Sequence, residues 1–181
     1  MKRCVVFLLP ILFFAATISG FAQVAHSASG RRAHLFAGGE GSVYQPDYAG
    51  EGVAQASPQR LYGIGAYVDA TFTRWVGLEA QGRWLHWNEY AGINENSYSI
   101  GPRVPVGTFK RFTPYGKFLV GMGSGSFLTG RTTVLTYGGG VDYRLSNRFS
   151  IRAVDFEYQT WYVQPHLNPY GGSAGISYRI F

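Results

Sequence analysis

The side chains in this sequence with the reach to do chemistry are its histidines, its ten carboxylates and its sixteen lysines and arginines. His34, His86 and His166 lie in different segments, and none has a second ligand at the short spacing a zinc or transition-metal centre requires. No metal site is expected. The glycine-rich stretches 121–125 and 138–140 are not followed by Gly-Lys-Ser/Thr, so they lack the groups of a phosphate loop, and no cofactor is expected. Twelve other charges form a set of their own: Glu40, Asp69, Glu79, Asp142, Asp155 and Glu157 against Arg83, Arg103, Lys117, Arg144, Arg152 and Arg179. Their chemistry is mutual neutralisation, because an unpaired buried charge costs far more than a paired one. Glu79 and Arg83 are four residues apart, and Asp142 and Arg144 two apart.

These twelve positions share a face only if the chain runs in strands, where successive side chains alternate sides. Eight segments alternate in this way, each about 10 to 15 residues long, the length a tilted strand needs to cross a hydrocarbon layer. Segment 33–44 sets Leu35, Ala37 and Val43 opposite Glu40, and 60–72 sets Tyr62, Ile64, Ala66, Val68 and Phe72 opposite Asp69. After a two-residue turn at Thr73-Arg74, segment 75–86 places Val76, Leu78, Ala80 and Trp84 opposite Glu79, Gln81 and Arg83. Segment 97–106 alternates Tyr98, Ile100, Val104 and Val106 with Ser97, Ser99, Gly101 and Arg103; Pro102, lacking a backbone donor, predicts a local bulge. Segment 112–123 sets Phe118, Val120 and Met122 against Tyr115 and Lys117, with Leu119 on the charged side. Segment 132–145 sets Leu135, Tyr137, Val141 and Tyr143 against Thr136, Asp142 and Arg144. In 149–160 the phase changes between Arg152 and the pair Asp155 and Glu157, so one residue near Val154 is extra, as in a β-bulge. Segment 169–181 alternates Tyr170, Ala174, Ile176, Tyr178 and Ile180 with small residues and Arg179.

Charged residues make up only 14% of the chain, against roughly 25% in soluble domains. No apolar stretch after residue 22 is long enough to span a membrane as a helix. The composition fits an all-β, eight-stranded antiparallel transmembrane barrel, which disperses its apolar residues to every second position. A soluble lipocalin-like barrel would show the same period with the faces exchanged. The low charge, the tyrosine-rich apolar face, the lack of cysteine pairs and the aromatic C-terminus favour the membrane form. Basic Met1-Lys2-Arg3 and the apolar run 4–22, ending in small residues, predict a signal peptide over 1–22; Pro10, Gly20 and Ala22 favour cleavage over a retained anchor. Residues 23–32 then form a short periplasmic segment and 33–181 the barrel domain. Removing Lys2 and Arg3 lowers the formal charge from +6 to +4. The excess, including Arg31, Arg32, Lys110 and Arg111, is scattered along the sequence. It makes no stripe for nucleic acid, and contact with anionic lipid headgroups is its better use.

Connections alternate in length: 45–59, 87–96 and 161–168 are long, while the turns at 73–74 and 146–148 are short, which places them on opposite sides of a membrane. The pair 107–111 and 124–131 differs less. Trp75, Trp84, Trp87 and Trp161 all fall at strand ends, where they would form interfacial aromatic girdles. The strand pattern over 33–181 and the final Gly-Ile-Ser-Tyr-Arg-Ile-Phe resemble the small eight-stranded outer-membrane barrels of the OmpA and OmpX type, without the peptidoglycan-binding domain of longer OmpA relatives.

The resemblance implies residence in the outer membrane of a Gram-negative envelope and contact with outer-membrane lipid and lipopolysaccharide. It also implies a monomer, and delivery to the barrel-assembly machinery through Ile176, Tyr178, Ile180 and Phe181, although Phe181 is out of step with the other three. Some small barrels modify lipid A with a histidine, a serine and an acid near the outer rim. The candidates here are His86, with Glu89 or Glu95, and His166, but no His-x-Ser pair lies on any segment, so no enzyme is expected. The interior of such a barrel is only wide enough for side chains, so the charges predict a neutral plug, with a narrow pore as the alternative. The first loop, with Tyr44, Asp47, Tyr48 and Glu51, is the candidate for contact with an extracellular ligand.

Overall fold

The computed structural model describes residues 33–47, 60–87, 94–126, 128–164 and 166–181. The signal-peptide and periplasmic segments, Tyr48 and Glu51 of the first loop, and Glu89 lie outside the described residues. The strands are β1 (His34–Gln45), β2 (Leu61–Thr71), β3 (Gly77–Trp87), β4 (Glu95–Pro105), β5 (Phe112–Gly125), β6 (Thr132–Arg144), β7 (Phe149–Trp161) and β8 (Tyr170–Arg179). No predicted boundary differs from these by more than two residues. Each strand pairs antiparallel with its neighbours in sequence, and β1 closes on β8. Closure leaves no sheet edge, which satisfies the backbone in a solvent without hydrogen-bonding partners.

Alternation sets which side chains line the lumen. In β2, Leu61, Gly63, Gly65, Tyr67 and Asp69 are buried while Tyr62, Ile64, Ala66 and Val68 are exposed. The exposed set continues around the wall through Ile100, Val120, Phe156 and Ile176, an apolar surface far too large for a protein in water and suited to hydrocarbon.

Two bulges adjust this alternation. Asp142 pairs with Arg152 and Val141 with Val154, so Ala153 is the extra residue, and Arg152 and Asp155 both face inward. In β3, Tyr62 pairs with Trp87 but Gly63 with Leu85, which leaves His86 extra and turns Trp87 outward beside the lipid-facing Tyr62. The bulge expected at Pro102 is absent. Ile100 opposite Val120 and Arg103 opposite Lys117 keep one register, and pairing lapses only between them. A shift there would turn Arg103 out of the lumen, so the ladder gives up contacts and keeps its phase.

The turn expected at Thr73-Arg74 is longer by one residue. Phe72 and Thr73 donate their backbone N–H to Val76 O, and the Thr73 hydroxyl accepts from Trp75 and Val76 N–H. Ser146 repeats this arrangement toward Arg148 and Phe149. The third short turn is tighter: Phe109 and Phe112 bond each other reciprocally around Lys110-Arg111, with Lys110 at φ 59°. These three short turns lie at the inner end of the barrel, and the other four connections lie at the outer end.

Deleting Ala153 alone leaves Arg152 and Asp155 two residues apart and both inward on a regular strand, whereas deleting Ala153 and Val154 makes them adjacent and puts them on opposite faces. The single deletion should keep the folded, heat-modifiable band on gels after refolding into detergent and the double deletion should lose it; a folded double-deletion barrel of unchanged stability would show that the phase of β7 is not what holds the lumen charges.

Candidate functional site: the charged lumen

The inward positions of β1 to β7 bring one connected charge network into the middle of the barrel. The Arg83 guanidinium donates to Glu40 Oε1 at 2.7 Å, to Ser42 Oγ at 3.2 Å, to the Tyr44 hydroxyl at 2.5 Å and to Glu157. Tyr44 in turn donates to Glu157 Oε2 at 2.5 Å. The Lys117 ammonium meets Glu79 Oε1 at 2.9 Å, Glu157 Oε1 at 2.5 Å and Asp155. Arg152 meets Glu79 at 2.9 Å, Asp69 at 3.1 Å, Glu40 at 3.3 Å and Asp155 at 3.4 Å. Arg103 reaches Asp142 Oδ2 at 2.5 Å and Glu79 Oε2 at 3.3 Å. Rings complete the packing: the Arg152 guanidinium lies 3.5 Å from the Tyr67 ring centre, and that of Arg103 lies 3.6 Å from Tyr115. Such stacking stabilises a cation removed from water.

Glycine makes these contacts possible. Gly65 is the strand partner of both Glu40 and Arg83, so their ion pair crosses above it. A Cβ at Gly65 would stand 2.9 Å from the Glu40 side chain. Gly138 lies in the same way between Lys117 and Glu157. Adjacent strands are about 4.8 Å apart, so long side chains bridge two strand spacings only when the intervening position is bare.

Among the described residues, Glu79, Asp155 and Glu157 are the one carboxylate trio close enough to hold a metal ion, and the Lys117 ammonium lies among them. The lysine therefore supplies the positive charge that this trio requires.

Above the network, toward the outer end, the lumen turns apolar. Tyr44, Leu61 and Leu85 form one buried cluster, and Val134, Trp161 and Leu167 form another with Leu128 and Val163 against it. Leu167 is held there by reciprocal backbone bonds with Trp161, and Asn168 N–H donates to Asp47 at 3.1 Å, tying the last loop to the first.

Several sequence expectations are corrected by this geometry. The network has six carboxylates over four bases rather than six over six. Arg144 is exposed at the inner rim, and Arg179 is half-buried there, bonded to His34 Nδ1 at 2.6 Å and to the Phe181 carbonyl. Glu79 does not pair with Arg83, because four residues of strand separate side chains by about 13 Å. Asp142 pairs with Arg103 and not with Arg144. Trp161 is 1% exposed and donates its indole N–H to Gln159, so it belongs to the outer apolar cluster and not to a girdle. Its phase follows from Asp155, Glu157 and Gln159, all inward at the same parity. Trp75 and Trp87 are exposed at opposite ends, and Trp84 packs edge-on to outward Tyr98. Tyr44, assigned to the first loop, is a lumen residue, and Glu95, assigned to the third strand's outer loop, is buried at the start of β4. Ile176, Tyr178, Ile180 and Phe181 are all exposed.

Replacing Arg152 by Met takes one cation from four lumen carboxylates, Glu40, Asp69, Glu79 and Asp155, and should destabilise the barrel by about 3–5 kcal/mol in urea unfolding. Gly65→Val should also destabilise, by displacing Glu40 from Arg83. Gly41→Val, where nothing lies within 4 Å of an added Cβ, should be near neutral. Equal effects of the two glycine substitutions would contradict the crossing role of Gly65.

No curated protein matches this chain. Residues 13–179 match the family model described as the outer membrane protein beta-barrel domain. Among solved structures, the fold is similar to Ail, the attachment invasion locus protein of Yersinia pestis, at 18% identity over 82% of this chain and 97% of that one, with a TM-score of 0.51. It is similar to Neisserial surface protein A at 14% identity, over 81% and 96% of the two chains, with a TM-score of 0.56. It is similar to OprG of Pseudomonas aeruginosa at 11% identity, over 83% and 97%, with a TM-score of 0.57. With a family match across most of its length and a closed barrel of eight antiparallel strands, the chain belongs to the outer membrane protein β-barrel family and resides in the cell outer membrane.

Proposed function

We propose that this protein is a structural or surface-interaction barrel of the envelope, with a lumen that neither conducts ions nor carries out a reaction. The observation that carries the reading is the filled interior: Arg83, Arg152, Lys117, Glu79, Asp155 and Glu157 are all buried and bonded to one another across the lumen. The apolar clusters at the outer mouth support it, since an ion would have to displace both layers.

In this reading Trp75, Trp84 and Trp87 anchor the barrel at the two interfaces, where amphipathic rings are favoured. Ile176, Tyr178, Ile180 and Phe181 form the strand end presented to the barrel-assembly machinery. The barrel acts as a monomer among outer-membrane lipid and lipopolysaccharide, and interaction with any extracellular ligand falls to the outer loops. The purified protein in planar bilayers should leave the membrane silent across the usual voltage range. Reproducible single-channel steps would establish the narrow pore instead.

A further inference from the structure

Six of the bases outside the lumen, scattered in sequence, gather at one rim of the barrel. Arg74 lies in the β2–β3 turn, Lys110 and Arg111 in the β4–β5 turn, Arg144 and Arg148 about the β6–β7 turn, and Arg179 at the end of β8. Five are exposed and Arg179 is half-buried. Among the described residues, no aspartate or glutamate forms an ion pair with any of the six, and Arg179 bonds the Phe181 main-chain oxygen at 3.2 Å. The acids lie elsewhere: six belong to the lumen network, and the other four, Asp47, Glu51, Glu89 and Glu95, fall by sequence between or at the outer strand ends. Among the described residues, the inner rim therefore carries six basic side chains and no aspartate or glutamate.

Exposed aromatics are interleaved with these bases. The Arg74 guanidinium lies 5.0 Å from the Trp75 ring, Phe109 and Phe112 flank Lys110-Arg111, and Phe149 follows Arg148. Amphipathic and aromatic side chains settle at the headgroup level of a bilayer, which sets the adjoining bases at the depth of the lipid phosphates. Lys110 also takes a positive φ that glycine or asparagine would adopt at less cost, so the tightest turn carries charge at its tip against its conformational preference.

We propose that this collar binds the anionic phospholipid headgroups of the leaflet it faces, the inner leaflet of the outer membrane, and concentrates them around the barrel. A soluble polyanion fits less well, because the bases are spread around the circumference of a lipid-embedded wall and do not converge on a groove. The proposal rests on the barrel's place and orientation in the membrane and is independent of whether the lumen conducts.

The test is electron spin resonance of the full protein reconstituted with spin-labelled phosphatidylglycerol or phosphatidylcholine. The wild type should prefer phosphatidylglycerol by roughly threefold or more. The preference should fall in molar salt, where the screening length is about 3 Å. It should disappear in the collar variant R74Q/K110N/R111Q/R148Q, with folding checked by heat-modifiable migration, and persist in the outer-end variant R60Q/R131Q. A wild type that does not discriminate, a folded collar variant that still does, or loss of preference in the outer-end variant would each overturn the proposal. Tight binding of soluble polyglutamate by a wild type without lipid preference would assign the collar to a periplasmic polyanion instead. If the collar variant fails to fold, the salt dependence of the wild type decides: a preference unmoved by salt overturns the proposal.

Discussion

A charge carried into the lumen of an eight-stranded barrel leaves water on every side, and the need to give each one an opposite partner organises the rest of this structure. Apart from Arg152 and Asp155 on β7, the lumen ion pairs join different strands. Arg152 on β7 depends on Glu40 of β1, Asp69 of β2 and Glu79 of β3, while Lys117 on β5 depends on Glu79 of β3 and on Asp155 and Glu157 of β7. These contacts cross the barrel and do not follow its hydrogen-bond ladder. A one-residue slip of any contributing strand would turn its charges toward lipid, so the network specifies register as well as filling space. The bulge at Ala153 fits this requirement, because without it Arg152 and Asp155 could not both face inward.

From outer to inner end, the barrel is layered by chemistry. Two apolar clusters close the outer mouth, six carboxylates and four bases occupy the middle, and a ring of bases surrounds the inner rim. The wall facing lipid is apolar between the two rims. Bare positions at Gly65 and Gly138 let ion pairs cross an intervening strand, which ties the glycine content of the chain to its charge content.

The wall was legible in the sequence, because alternation needs only the order of polar and apolar residues. The phase change in β7 could be read because charges stand on both sides of it. The lumen was legible only where a charge marks the inward face. At the outer mouth the inward residues are Tyr44, Leu61, Leu85, Val134 and Trp161, and apolar residues on the inner face read the same as those facing lipid. Partner choice was not legible, since the partners are set by which strands close around the lumen and by how far along its strand each charge lies. Arg144 shows the second effect: it has the parity of Asp142 but lies one step too near the rim to be enclosed.

The central claim is that the lumen charges act as one coupled, paired plug. A double-mutant cycle on Glu40→Gln and Arg83→Met, by reversible urea unfolding in detergent, measures that coupling directly across the bare position at Gly65. The structure predicts a coupling energy of about 2 kcal/mol or more between the two sites. Additive effects, within about 0.5 kcal/mol, would contradict it and leave the charges as independent tenants of a wet lumen.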